Sequence, residues 1–335
     1  MGINIVADFG EDYKQFILLS IKKYFNINLE DDKYSYLKDL EPQDLYFQYL
    51  SNSKRIPPAK PRNVHLSKEL INSDLYNTYK DKVDNITELL KSGQSIKPYL
   101  NRDVKHIFKK NCPKDFLLND WDLYHLHLGE LKPNANFCDR TKYVLFCKIT
   151  NNDVYLIQIL DHTEDSSFAC RQLLTIIRDN WIEQYNVHKL NGISRIGGKE
   201  VNDFEYRQLR EAGICTILNI DGECFMSPNM GVASSGDSSN DVRIAMRQFH
   251  ILEILQEHII KSSKIIYDFI IKCDKRHRKP NKIHLKLKHI DDNILVAQDV
   301  YSKTIVELKM DKNYITEMII KINKHTCTIK YTEEQ

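Results

Sequence analysis

Five side chains near the middle of this 335-residue sequence have types and spacing that suit chemistry: His125, His127, Arg140, Lys142 and His162. His125 and His127 lie in the run 119–129, which also holds Asp120, Trp121, Asp122, Leu126 and Leu128. On a strand, alternate residues share a face, so the two imidazoles emerge together, roughly 7 Å apart, with Leu126 and Leu128 on the other side. Burying imidazoles without partners is costly, so the spacing predicts an exposed face or a polar cleft. Antiparallel pairing of the strands that follow would bring Arg140, Lys142 and His162 to the same surface.

Three histidines able to change charge near neutrality, beside two cations, form the kit for metal-free RNA cleavage. A base removes the 2′-hydroxyl proton, an acid protonates the leaving 5′-oxygen, and cations stabilise the charge building on the phosphorane. The same residues permit three other readings. His125, His127 and His162, with Asp161 or Asp122, could hold a metal ion in a metal-dependent hydrolase. The histidines could instead make ordinary hydrogen bonds at a sheet edge or subunit contact. In the third reading the sheet belongs to a non-catalytic module that holds nucleic acid or a protein.

The elements that must position these groups follow from hydrophobic spacing. Residues 121–128 alternate, 143–149 and 154–160 are apolar, and Thr150, Asn151, Asn152 and Asp153 suit a tight hairpin turn between the last two. A helix is expected over 168–185. Residues 1–100 read as mainly helical, with helices over 11–25, around 45–50 and over 67–90. The second is followed by a connector rich in Pro57, Pro58 and Pro61, and the third is closed by Gly93. Residues 101–198 form a central α+β domain with the histidine-bearing antiparallel sheet. Residues 199–335 carry a short helix over 204–212, a hairpin turning at Asp221 and Gly222, a helix over about 241–272, and a meander of three or four strands. The long helix would run roughly 45 Å, enough to brace two domains or to form a homodimer contact. The fold class expected is α+β.

The strand order carries a resemblance. A tryptophan-led strand (Trp121 to Gly129), an arginine-led apolar strand (Arg140 to Phe146) and a hairpin to a strand ending in Asp161, His162, Thr163 and Glu164 resemble the RelE/HigB-like mRNA interferase toxins. The resemblance covers about 60 residues within the central region. It implies a helical lead-in to a small antiparallel sheet that cleaves mRNA, usually on the ribosome, with Arg140 contacting phosphate and His162 acting as acid or base. Those toxins are typically a third of this length, and paired histidines such as His125 and His127 are not their usual signature. The implied function is a metal-independent endoribonuclease of toxin or antiphage-defence type. Its partners would be RNA and a neutralising antitoxin-like protein.

Bulk properties narrow the setting. Net charge is only +2, yet residues 261–289 hold ten Lys and Arg against Asp268 and Asp274. Within that stretch Lys275, Arg276, Arg278, Lys279 and Lys282 are candidate nucleic-acid contacts. No apolar run approaches the ~18 residues of a membrane span, and the first residues lack the pattern of a secretion signal. Eight cysteines without a Cys-x-x-Cys pair fit a reducing, cytoplasmic setting. No cofactor is expected, since neither the glycines at 197–198 nor Gly231 and Gly236 build a phosphate loop. Cys138, near Arg140, is a weaker nucleophile candidate with no histidine beside it in sequence.

Overall fold

Four-residue strands at two points of the chain, each pairing in parallel with a distant partner, decide how this fold is divided. The computed structural model describes residues 4–163, 167–186, 188–193, 201–273, 282–311 and 314–331. The chain opens with β1 (Asn4–Ala7) and α1 (Phe9–Phe25), whose first turn is capped by the Asp8 carboxylate accepting from the Glu11 amide. There follow α2 (Asp32–Ser35), α3 (Pro42–Ser53), β2 (Asn63–Leu66), α4 (Lys68–Ile71) and α5 (Asp74–Ser92). Ser73 caps the start of α5, and left-handed Gly93 ends it. Next come α6 (Phe116–Trp121), β3 (Leu123–His127), β4 (Tyr143–Ile149), β5 (Asp153–Asp161), α7 (Gln172–Asn180) and α8 (Glu183–Asn186). The chain continues through α9 (Asp203–Glu211), β6 (Leu218–Ile220), β7 (Glu223–Phe225), α10 (Ser239–Lys261) and α11 (Ser263–Cys273). It ends in β8 (Lys282–Ile290), β9 (Ile294–Asp299), β10 (Ile305–Asp311), β11 (Tyr314–Ile322) and β12 (His325–Lys330). The fold is α+β, with helices towards the N-terminus and a β-meander at the C-terminus.

Two compact units result: residues 1–47 with 244–335, and residues 48–243. They replace the three consecutive regions expected from sequence. The reason is the parallel pairing: β1 lies beside β8, and β2 beside β5. The first hundred residues are therefore shared between the units and contribute a strand to the sheet of each.

The first unit has a six-stranded sheet in the order β1-β8-β9-β10-β11-β12. Burial along β8, β9 and β10 alternates, and Ile283, Leu285, Leu287, Leu295, Val306 and Leu308 face one core with Phe9, Leu252, Leu255 and Ile259. This is the pattern of an antiparallel sheet with one covered face. The meander holds five strands rather than three or four. The single helix expected over 241–272 is interrupted at Ser262, and its apolar side packs in the unit's own core.

The second unit has a four-stranded sheet in the order β2-β5-β4-β3 and a separate β6-β7 hairpin. Leu123, Val144, Phe146 and Ile157 of the larger sheet pack with Leu117 and Trp121 of α6 and with Leu173, Ile176 and Ile177 of α7. The expected hairpin joining β4 to β5 is present, with the Thr150 amide donating to the Asp153 carbonyl at 2.9 Å. Among the described residues no helix is long and apolar enough to cross a membrane.

Candidate active site in the second unit

Strand register explains how three histidines separated in sequence meet. In the β3–β4 pair His125 lies opposite Phe146 and His127 opposite Val144; across β4, Val144 lies opposite Leu160. Directly opposed residues share a face, so His162, two residues beyond Leu160, continues the same side. Its backbone amide donates to the Lys142 carbonyl at 3.0 Å, and its Nδ1 lies 2.7 Å from the same oxygen. A carbonyl can only accept, so Nδ1 carries the proton and Nε2 is the ring's remaining polar atom.

The strand leading to this face starts later than expected. Trp121 ends α6 instead of opening β3, because the Asp115 carboxylate caps that short helix and Asp122 closes it with φ 58°. At the far end of β3, a Cβ on Gly129 would sit 1.9 Å from the Asp139 carbonyl, so the close return of the chain requires glycine.

The ring centroids of His125 and His127 are 5.9 Å apart, and those of His127 and His162 are 5.5 Å apart, with interplanar angles of 76° and 88°. Phe168 lies against His125 at 5.0 Å and against His162 at 6.4 Å. His125 and His127 are only 7% and 4% exposed, so both faces of β3 are covered, contrary to the open-face expectation. His125 and His162 line a cleft of about 330 Å³, whereas His127 does not line it and its Nδ1 has no partner. Neither ring nitrogen of His125 has a hydrogen-bond partner among the described residues.

Burial, reinforced by the neighbouring charges of His125, His162 and Arg140, pushes His127 down to about 4. Burial also lowers His125, with His162 and Arg140 acting in the same direction and Asp115 opposing. Both imidazoles are therefore neutral at pH 7. Asp161 is held down at about 2, chiefly by its hydrogen bond from Lys142, whose Nζ is 2.8 Å away.

Arg140 and Lys142 are exposed and do not line the cleft. Arg140 acts on the histidines through its field. Lys142 holds Asp161 with its ammonium and His162 with its carbonyl. The cations that do line the cleft are Lys114, Arg207 and Arg210, none of which sequence spacing singles out. Arg210 is 3% exposed; its Nε bonds the Asp120 carboxylate at 2.7 Å, and its guanidinium lies 4.3 Å from the Trp121 ring centroid. Tyr206 donates to the same carboxylate at 2.9 Å. A hint was available in Asp120, an acid inside the apolar approach to Trp121, since a buried carboxylate demands a cation.

The remaining candidates separate from this cleft. Burial raises the Cys138 thiol, and its Sγ contacts the His127 carbonyl at 3.7 Å, the setting of an inert buried thiol. Lys275, Arg276, Arg278 and Lys279 lie outside the described residues, and Lys282 is exposed at the start of β8 in the first unit. Among the described residues no group of three or more His, Cys, Asp or Glu is arranged to hold a metal ion.

Comparison with protein-family models, curated proteins and solved structures returns no match.

Proposed function

We propose that this protein is an endoribonuclease of toxin or antiphage-defence type that cleaves RNA by acid–base chemistry without a metal ion in the step. The observation that carries the reading is the placement of His125 and His162 on one cleft, joined through His127 and Phe168. A cleft of about 330 Å³ stands at the small end of the ~300–1,000 Å³ common for ligand sites and suits one nucleotide at a time.

His125, kept neutral by burial, takes the proton from a ribose 2′-hydroxyl. The 2′-oxygen attacks the adjacent phosphorus, and His162 in its imidazolium form gives its Nε2 proton to the departing 5′-oxygen. The products are a 2′,3′-cyclic phosphate and a free 5′-hydroxyl. His127 is a positioning residue that holds the two working rings apart. Arg140 and Lys142 support the site from outside it, through charge and through the hold on His162. The toxin reading carries with it a neutralising antitoxin-like partner and action on ribosome-bound message.

The test is cleavage of single-stranded RNA by purified protein in EDTA, comparing wild type with H125A and H162A. Each variant is expected to lose about 10²- to 10⁴-fold in rate, the usual worth of a general acid or base. Absence of wild-type cleavage, or survival of both variants, would overturn the assignment. Activity lost in EDTA and restored by one divalent metal would move it to a metal-dependent hydrolase. Tight, salt-sensitive RNA binding without cleavage would leave a binding module.

A further inference from the structure

Two buried guanidinium groups of the second unit are only partly satisfied. Arg210 commits Nε to Asp120 and Nη1 to the Phe168 carbonyl at 2.5 Å, while Nη2 has no partner and is shielded from water. Arg55, 6% exposed, commits Nη1 to the Pro113 carbonyl at 2.9 Å and to the Cys112 sulfur at 2.7 Å, while Nε has no partner. Buried charged N–H groups are rarely left without an acceptor, because the desolvation cost is then uncompensated. Each of these arginines lines a cleft. Arg210 lines the histidine cleft; Arg55 lines a smaller one of about 60 Å³, with Lys109 and the exposed Lys110. The clefts share Lys114 and Asp115, the residues that lead into α6.

We infer that the two clefts are successive phosphate subsites of one groove, and that its ligand is single-stranded RNA extending past the cleavage point rather than a mononucleotide. This rests on the ribonuclease reading above, which it deepens. A guanidinium that lines a concave site and still has an N–H to give matches a phosphate oxygen in charge and geometry once a side-chain rotation turns that N–H outwards. Both arginines are recessed, so a duplex, whose phosphates lie on a convex surface, does not reach them; a single strand can turn its backbone inwards. Half-buried Phe116 and Phe168 line the histidine cleft and offer ring faces on which an unpaired base can stack. Three of the carboxylates nearby are paired with cations, Asp120 with Arg210, Asp237 with Lys114 at 2.5 Å and Glu211 with Arg207 at 2.8 Å, while Asp115 accepts from the Leu118 amide.

The experiment uses uncleavable 2′-O-methyl RNA strands of one, two and four nucleotides, each with a 3′-phosphate, and reads affinity by fluorescence anisotropy. The two-nucleotide strand is expected to bind about ten-fold tighter than the single nucleotide, the worth of one further charged hydrogen bond. R55Q removes that gain and leaves the single nucleotide unaffected. R210K, which keeps the charge beside Asp120 but lacks Nη2, weakens every length about ten-fold. The slope of log affinity against log salt drops by about 0.7 for each phosphate that is no longer neutralised. Because Arg55 also holds the Pro113 carbonyl, R55Q is paired with K110A, whose exposed side chain leaves folding intact and whose removal lowers the slope for the longer strands only. Equal affinity at all lengths, or a length dependence untouched in both R55Q and K110A, would refute the groove. Cleavage of RNA by wild type is scored separately, so failure of the histidine chemistry and failure of the groove are distinct results.

Discussion

The two units handle buried polar groups in opposite ways. In the first unit, the buried carboxylates serve the backbone. Asp12 accepts from the Leu287 amide and Lys286 Nζ, both at 2.8 Å, and Asp299 accepts from the His284 and Ser302 amides at 2.8 and 2.6 Å. In the second unit, β3 is buried at every position, and polar atoms enclosed there and elsewhere in the unit lack partners. Among the described residues, Arg55 Nε, Thr87 Oγ1, His127 Nδ1, Tyr185 Oη and Arg210 Nη2 are such atoms, against His258 Nε2 alone in the first unit. Unpaired buried polarity is costly. Its concentration in one unit, where Arg55 and Arg210 line clefts, separates the two units in how completely they satisfy what they bury.

The largest effect expected from breaking this contrast is at Asp120. D120A strands Arg210 without its counter-charge and is expected to cost about 3–5 kcal/mol in urea unfolding. D299A in the first unit, which loses amide bonds but strands no charge, is expected to cost about 1–3 kcal/mol. A larger loss for D299A would reverse the comparison.

Acid comes next. The folded-state value of His127, about 4, lies below the ordinary 6.5, so the unfolded chain takes up the proton first. The stability tied to neutral His127 is complete above about pH 6.5 and is lost as pH falls towards 4, amounting to about 3 kcal/mol. His125, also lowered, and His188, at about 4 through burial, act in the same window. Urea midpoints at pH 7 and 4.5 should converge in H127F relative to wild type; an unchanged pH dependence would show that the ring is not held neutral by the fold.

The smallest effect is expected on the open side of the first sheet. K321A removes a partly exposed ion pair to Glu307 at 2.6 Å and should cost no more than about 1 kcal/mol, less in high salt.

Local signals carried much of this architecture. The turn at 150–153, the Asp221-Gly222 hairpin and the stripe of α1 are short-range features, and each lies where sequence places it. The same-face placement of His125 and His127 follows from strand periodicity alone. What escaped detection is non-local. β1 and β2 are four residues long and join their sheets in parallel, so no adjoining turn announces them. Arg210 meets Asp120 from 90 residues away, and nothing in the spacing of either reveals the other. The cleft was thus half legible: the imidazole wall by periodicity, the arginine wall only once the chain had folded.

Phe168 belongs to both of those walls. Its ring rests against His125 and His162, and its carbonyl receives Nη1 of Arg210. Ring and carbonyl of one residue are linked by a few torsions with narrow preferred values. The gap between the imidazoles and the guanidinium is therefore gauged by covalent geometry rather than by the looser fit of packed side chains. Whatever occupies the opening meets a caliper whose jaws are set by a single amino acid.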